Sequence, residues 1–299
     1  MKVFLQLITS GAGFIPEVWS DSIYSFFFRA NKLRNTVDDY SALVKGKGDT
    51  IHIPAILMQT ATAKAASTIV DWDANAGSNP QAHDVTPVDL TVGTHIYQAE
   101  IFEDILAIQA QYELVSKYTK MFGESLARKV ETDLWAELDG FQTTINTGTD
   151  NEFGTTELEL TLAALYDLDI DPNQCSLVVN HLMLADMFSS SSSVANIFLR
   201  NDAYGQSSGR NGEHVSKGAM GLIYGMDVYF SQAVGTGTTD RVGAAYVSGA
   251  CAFAASQDVR TQAEYSVDYL GTKVIADMIY GVKLLDTSTN KMGINIVND

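Results

Sequence analysis

Residues 101–141 read IFEDILAIQAQYELVSKYTKMFGESLARKVETDLWAELDGF, and no other part of the 299-residue chain holds a helical pattern so long. Ile105, Ile108, Tyr112, Val115, Tyr118, Phe122, Leu126, Val130, Leu134 and Leu138 recur at steps of three or four, with Lys, Glu, Ser and Thr on the opposite face. A regular helix from Gln111 onward is roughly 45 Å long at 1.5 Å per residue. That length makes it a spine with Leu126, Val130, Leu134 and Leu138 as its core face. Glu100, Glu103 and Asp104 precede it as the densest acidic group, where carboxylates complement a helix N-terminus. Its two flanks differ in character, a long polar alternating stretch before it and a compact α/β pattern after it. They do not share one round core, so the shape implied is flat and extended.

Immediately upstream, KGKGDTIHIPAI (45–56) is a Gly turn launching a strand through Ile51 and Ile53, and VDLTVGTHIYQAEIF (88–102) alternates as the returning strand. GKGD is no phosphate loop, because it lacks the GxxxxGK[ST] spacing and opens a strand instead of a helix. Between Leu57 and Val85 the chain is rich in Ala, Thr, Ser, Asn and Asp, with Ile69, Val70 and Trp72 its large apolar side chains after Met58. Residues 51–99 therefore read as a projecting two-stranded hairpin, and an isolated hairpin is marginal in water. The first 40 residues read as an arm. A short helix over Trp19–Lys32 puts Phe27 on the face of Ile23 and leaves Phe26 and Phe28 off it, which implies a partner surface. Phe26, Phe27, Phe28, Ile69, Val70 and Trp72 are thus the candidate intersubunit residues.

Downstream, Thr156 and Glu159 form a capping box for a helix burying Leu158, Leu162 and Leu165, stopped by Pro172. CSLVVN (175–180) is a buried strand and HLMLADMF (181–188) a short helix, while the serines of 189–193 make a mobile loop. GLIYGMDVYFS (221–231) is a strand broken at Gly225, and 242–256 is another strand with a turn at Gly249. The last segments, VRTQAEYSV, KVIADMIYGVKLLD and MGINIV, alternate and carry Gly271, Gly281 and Gly293 at turns or bulges. They are expected as antiparallel strands beside the spine.

The composition excludes several functions. With 36 acidic against 19 basic residues the net charge is −17, and the cations are scattered, which argues against a nucleic-acid binder. Cys175 and Cys251 lie far apart in apolar runs and read as buried free thiols in a reducing compartment. The apolar run at the start is broken by Gln6 and is too short for a signal peptide, and no segment approaches the ~20 apolar residues of a membrane span. His52, His83, His95, His181 and His214 form neither HxxxH nor HExxH. No nucleophile elbow or dinucleotide fingerprint occurs, so no catalytic residue, cofactor or metal is expected, and the weight shifts to structural work.

The order of these pieces carries a resemblance: FIPEVWSDSI, then KGKGDTIHIP, a long hairpin, a spine helix, SLVVNHLMLADMF with GLIYGMDVYFSQAV, and the ending VIADMIYGVKLLD. It resembles the major capsid protein of tailed double-stranded DNA bacteriophages, with the α+β Hong Kong 97-type capsid fold. The likeness covers almost the whole chain. It implies an N-arm at 1–40, an extended loop and its base at 41–99, a peripheral domain with the spine at 100–154, an axial domain at 155–255, and return strands of the peripheral domain at 256–299. It also implies hexamers and pentamers of this chain in an icosahedral shell. The shell would enclose DNA without binding it specifically, with portal and possibly decoration proteins as partners and assembly in the host cytoplasm. No charged helical segment precedes the arm, so a separate scaffolding protein or prior cleavage is implied, and no Lys and Asn pair stands out for crosslinking. Alternatives are an encapsulin-like nanocompartment of the same fold and an enzyme whose polar loop is a lid.

Overall fold

The structure, a computed structural model, describes residues 23, 27, 31–44, 50–54, 66–67, 87–103, 114–146, 153–188, 221–235, 241–287 and 291–298. Phe26, Phe28, Ile69, Val70, Trp72 and the serine run at 189–193 lie outside the described residues, as does most of the hairpin beyond its base.

A four-stranded sheet is ordered β1 (Asp38–Asp39), β10 (Cys251–Ser266), β11 (Gly271–Leu284), β4 (Thr94–Glu103). Its centre is the antiparallel β10–β11 ladder, in register from Cys251 opposite Leu284 to Ser266 opposite Gly271, with irregularities between Ala255 and Arg260. The long helix α1 (Leu114–Leu138) lies on one face of it, 25 residues or about 37 Å. Phe122, Leu126, Val130, Leu134 and Leu138 are buried there with Val274, Ala276, Met278 and Tyr280 of β11. Two carboxylates one helical turn apart fix the helix to that strand. Asp133 accepts a 2.6 Å hydrogen bond from the Tyr280 hydroxyl, and Glu137 accepts one of 3.0 Å from the Leu284 N–H.

The returning strand read over 88–102 is present as β3 (Pro87–Thr91) and β4, and the described helix begins at Leu114. Glu100, Ile101, Phe102 and Glu103 are the end of β4, paired with Val274 to Gly271 of β11, so Glu100 and Glu103 are strand residues and not a helix N-terminus. Alternation and helical periodicity coincide over so few residues, and the ladder partner supplied by β11 decides between them. Phe102 meets Tyr118 of α1 edge-on, with ring centroids 4.7 Å apart.

The other large sheet has the order β5 (Thr144–Asn146), β12 (Gly293–Asn298), β9 (Arg241–Val247), β6 (Cys175–Val179), β8 (Met226–Phe230), β7 (Gly221–Ile223). Helices α2 (Thr155–Asp167) and α3 (His181–Phe188) pack on it, burying Leu158, Leu165, Met183 and Met187 against Leu177, Val179, Val228 and Ile296. Tyr224 and Gly225 both take positive φ, 48° and 92°, which makes the β7–β8 connection a two-residue hairpin turn of the primed kind. The cap of α2 also differs from expectation. Its N-cap is Gly154, whose N–H donates to the Glu157 carboxylate at 2.6 Å, so the reciprocal half that a Thr hydroxyl would supply is missing.

Strand β12 corrects the placement of 256–299. It pairs antiparallel with β9 and parallel with β5, leaving the sheet beside α1 for the other one, while β10 joins the α1 sheet from Cys251 onward. Ile294 and Ile296 are fully buried among the side chains of α2 and β6, a demand that the spine face, already filled by β11, cannot meet.

A third, two-stranded sheet pairs β2 (Thr50–Pro54) with β3 (Pro87–Thr91). Ile51, Ile53, Leu90 and Val92 bury themselves against Ala252, Ala254, Ile279 and Leu285, on the face of β10–β11 away from the helix. Gly281 makes this docking possible, since a Cβ there would stand 2.3 Å from the Thr91 carbonyl oxygen. It is neither a turn nor a bulge but a point of close backbone approach.

Leu134 is fully buried at the centre of the helix interface. Leu134→Ala is expected to lower unfolding stability by roughly 2 to 5 kcal/mol in urea titrations of the unassembled chain, and unchanged stability would show that this face is not the core.

Candidate assembly surfaces

Glu131 joins the arm, the spine and the second sheet. Its Oε1 accepts from the Lys32 N–H at 2.6 Å and the Leu33 N–H at 3.3 Å, and its Oε2 accepts from the Ser231 hydroxyl at 2.8 Å, all in a residue 8% exposed. Below this clasp Ile23, Phe27, Leu33 and Val37 enter the same core as Phe122 and Val130. Phe27 is therefore corrected from intersubunit candidate to core residue, with no exposed surface left for a neighbour. The arm continues as β1, held where Tyr40 N–H donates to the Phe253 carbonyl at 2.7 Å and Arg34 stacks over the Phe253 ring at 4.4 Å.

The β10–β11 ladder outruns its cover. At its far end Tyr265, Val267, Tyr269 and Leu270 are 51%, 75%, 56% and 63% exposed, with Lys273 lying 4.9 Å over the Tyr269 ring. On β4 beside it Tyr97 and Ile101 are exposed, and on α2 Leu160 and Tyr166 make a second apolar patch. Isolated exposed apolar residues are ordinary, and a turn carrying four together is a local excess of apolar surface. The sequence carried a signal for it in YSVDYLG (265–271), a turn with two tyrosines, a valine and a leucine.

Midway along the same ladder Asp277 is 4% exposed, receiving both Arg260 nitrogens at 2.8 and 2.9 Å and the His95 imidazole at 2.9 Å. The bulge between Gln257 and Arg260 sets Arg260 directly opposite Asp277 for this fork. Burial pushes the Asp277 carboxyl up, but the Arg260 and His95 contacts outweigh it and the net shift is downward. Nothing nucleophilic completes a catalytic set here, and the described residues contain no group of three metal-binding side chains.

The described chain is thus a spine helix on a long two-stranded ladder, with a docked hairpin base, a second sheet and an apolar tip. The sequence model of the phage capsid protein family matches residues 85–289, two-thirds of the chain and all of the ladder. This chain belongs to the phage capsid protein family. No curated protein matches it. Among solved structures the capsid protein is similar to a chain of Mycobacterium phage Che8, with 19% identity over 88% of this chain and 89% of that one and a TM-score of 0.63. It is similar to the capsid of Ralstonia phage GP4, with 10% identity over 88% and 87% and a TM-score of 0.62. It is also similar to a virus-like particle from Pyrococcus furiosus, with 8% identity over 96% and 100% and a TM-score of 0.59. The fold is the Hong Kong 97-type capsid fold, and the capsid protein's work is structural.

Two measurements check these assignments. Glu131→Ala leaves the Lys32 and Leu33 N–H groups and the Ser231 hydroxyl without their acceptor, at roughly 1 to 3 kcal/mol for each group kept from water, so it is expected to release the arm to protease before global unfolding. For Asp277 the lowered pKa means that its contribution is present above the ordinary carboxylate range near 4 and is lost as pH falls through the folded value. The stability difference between the native chain and Asp277→Asn is therefore expected to shrink on acidification, and a difference independent of pH would remove the ion pair from the account.

Proposed function

We propose that this chain forms hexamers and pentamers that close into an icosahedral phage head around double-stranded DNA, without catalysis. The observation that supports this most directly is the hairpin. Its base docks on the subunit through Ile51, Ile53, Leu90 and Val92, and residues 55–86 connect its strands. A segment that polar cannot offset a backbone ordering cost of about 1 to 2 kcal/mol per residue from its own subunit, so neighbours must supply the contacts. Ile69, Val70 and Trp72 are the side chains we assign to that contact, with Phe26 and Phe28 of the arm.

The functional division follows the chain: an arm to about residue 40, the extended loop and its base to 99, a peripheral unit built on the spine, and an axial unit between 155 and about 250. The exposed tip at Tyr265 to Leu270 serves contacts between copies. The balance of −17 leaves the lining without a dense cationic surface, so enclosed DNA is confined and not gripped. A separate scaffolding protein and a portal complete the assembly in the host cytoplasm, with decoration proteins as further partners. The phage family match favours this reading over a protein-filled nanocompartment, and nucleic acid in purified particles separates the two.

The test removes residues 60–84 and joins the strands with a short turn. The expected product is a folded, soluble subunit that no longer forms closed shells in electron micrographs, whereas the intact chain forms them on concentration. Normal closure by the deletion variant, or equal protease protection of the hairpin in free subunit and shell, would overturn the clasp.

A further inference from the structure

The chain passes between the two large sheets at 138–144, at 247–251 and at 284–293. Asp286 stands in the last of these crossings and touches the first. Its Oδ1 accepts from the Met292 N–H at 2.5 Å, closing its own crossing, and the carboxyl faces the backbone N–H of Gln142 in the first crossing. Its neighbour Leu285 donates its N–H to the Ala250 carbonyl of the middle crossing at 2.8 Å. The side-chain Oδ2 of Asp286 is buried and has no hydrogen-bond partner among the described residues, in a residue 8% exposed. Two more buried oxygens without a partner, Thr143 Oγ1 and Asn295 Oδ1, belong to the segments that Asp286 ties. Those segments are themselves joined, because Asn295 donates its N–H to the Thr143 carbonyl at 2.8 Å and its Nδ2 to the Asp139 carbonyl at 2.6 Å.

We propose that Asp286 is a proton-operated latch on the joint between the two sheets, closed when the carboxyl is protonated and loosened when it is ionised. An ionised carboxylate with one oxygen buried and unpaired is the costly form, and a proton on Oδ2 removes the charge that has no partner there. Burial pushes this carboxyl above its ordinary range, and the Met292 and Gln142 N–H groups and the charge of Lys291, the one charged side chain acting on it among the described residues, pull down without prevailing. The sign is opposite to that of Asp277. With the closed-joint pKa raised, the latch is fully engaged below the ordinary carboxylate value and is lost as pH rises through the raised one. Acid thus stiffens the coupling of the sheets, and alkali lets them pivot about segments that remain covalently continuous. The latch belongs to the single subunit and does not depend on what the subunit assembles into.

Hydrogen exchange of the full-length chain from about pH 3 to 7, a range that starts below the ordinary carboxylate value, corrected for the intrinsic pH dependence of amide exchange, reads the joint directly. Peptides covering 139–146 and 285–298 are expected to gain protection as pH falls, about tenfold per pH unit over the range where the carboxyl titrates in the closed joint but not in the open one. Peptides from β11 within 272–282 serve as the reference and should not follow. In Asp286→Asn the side chain is uncharged at every pH. Its protection is expected to be independent of pH and equal to that of the native chain in acid, with Asp286→Ala low throughout. Native protection that does not change with pH would overturn the latch, since it would mean that a bound water or ion satisfies an ionised Asp286. If Asp286→Asn does not fold, the native pH series decides alone.

Discussion

The carboxylate of Glu131 accepts from two backbone N–H groups of the arm and from a hydroxyl of the second sheet, while its own backbone lies in the spine helix. Segments about 100 positions apart on either side are thereby fastened to one side chain. A buried charge persists only where its lone pairs are met, so the arm, the helix and the loop after β8 must arrive together or none of them is satisfied. The same constraint ties the arm and the spine to the loop after β8, at the end of a strand of the second sheet. The chain enters and leaves each of the two large sheets more than once, and the contacts that complete either sheet are distant in sequence.

What remains after the subunit has satisfied itself points outward. The spine helix covers one face of the β10–β11 ladder, and the hairpin base covers part of the other. The distal tyrosines and the polar stretch between β2 and β3 are left over. Both are the surfaces assigned above, as a proposal, to contacts between copies. Family membership and the fold agree with that division between inward closure and outward excess.

Acidic residues do opposite work at different points of this framework. Asp277 is held charged by a guanidinium fork and an imidazole, so the middle of the ladder weakens in acid. Asp286 has no such counter-ion in direct contact and sits where apolar and backbone groups desolvate it, so the joint between sheets tightens in acid. Asp133 and Glu137 fasten the helix to β11 by accepting from the Tyr280 hydroxyl and the Leu284 N–H, and each also pairs with a lysine, Lys129 and Lys283. A net charge of −17 is therefore no uniform property of the surface but a set of sites with different partners.

Much of the frame was legible in the residues. The period of Phe122, Leu126, Val130, Leu134 and Leu138 determines a helix with one buried face, because a 3.6-residue repeat has no other way to collect its apolar groups. Alternation through Ile51 and Ile53, the turn at Tyr224 and Gly225, and the strand CSLVVN were equally local signals. Other features had no local sign. MGINIV joined the second sheet because Ile294 and Ile296 found their cavity there, and Phe27 turned inward because Glu131 draws the arm onto the spine. Sequence by itself determined which segments are regular and which faces are apolar, since those follow from nearest-neighbour spacing. Tertiary structure alone decided which sheet each strand completes and which acid is paired, because both depend on groups that meet only when distant parts of the chain close around one another.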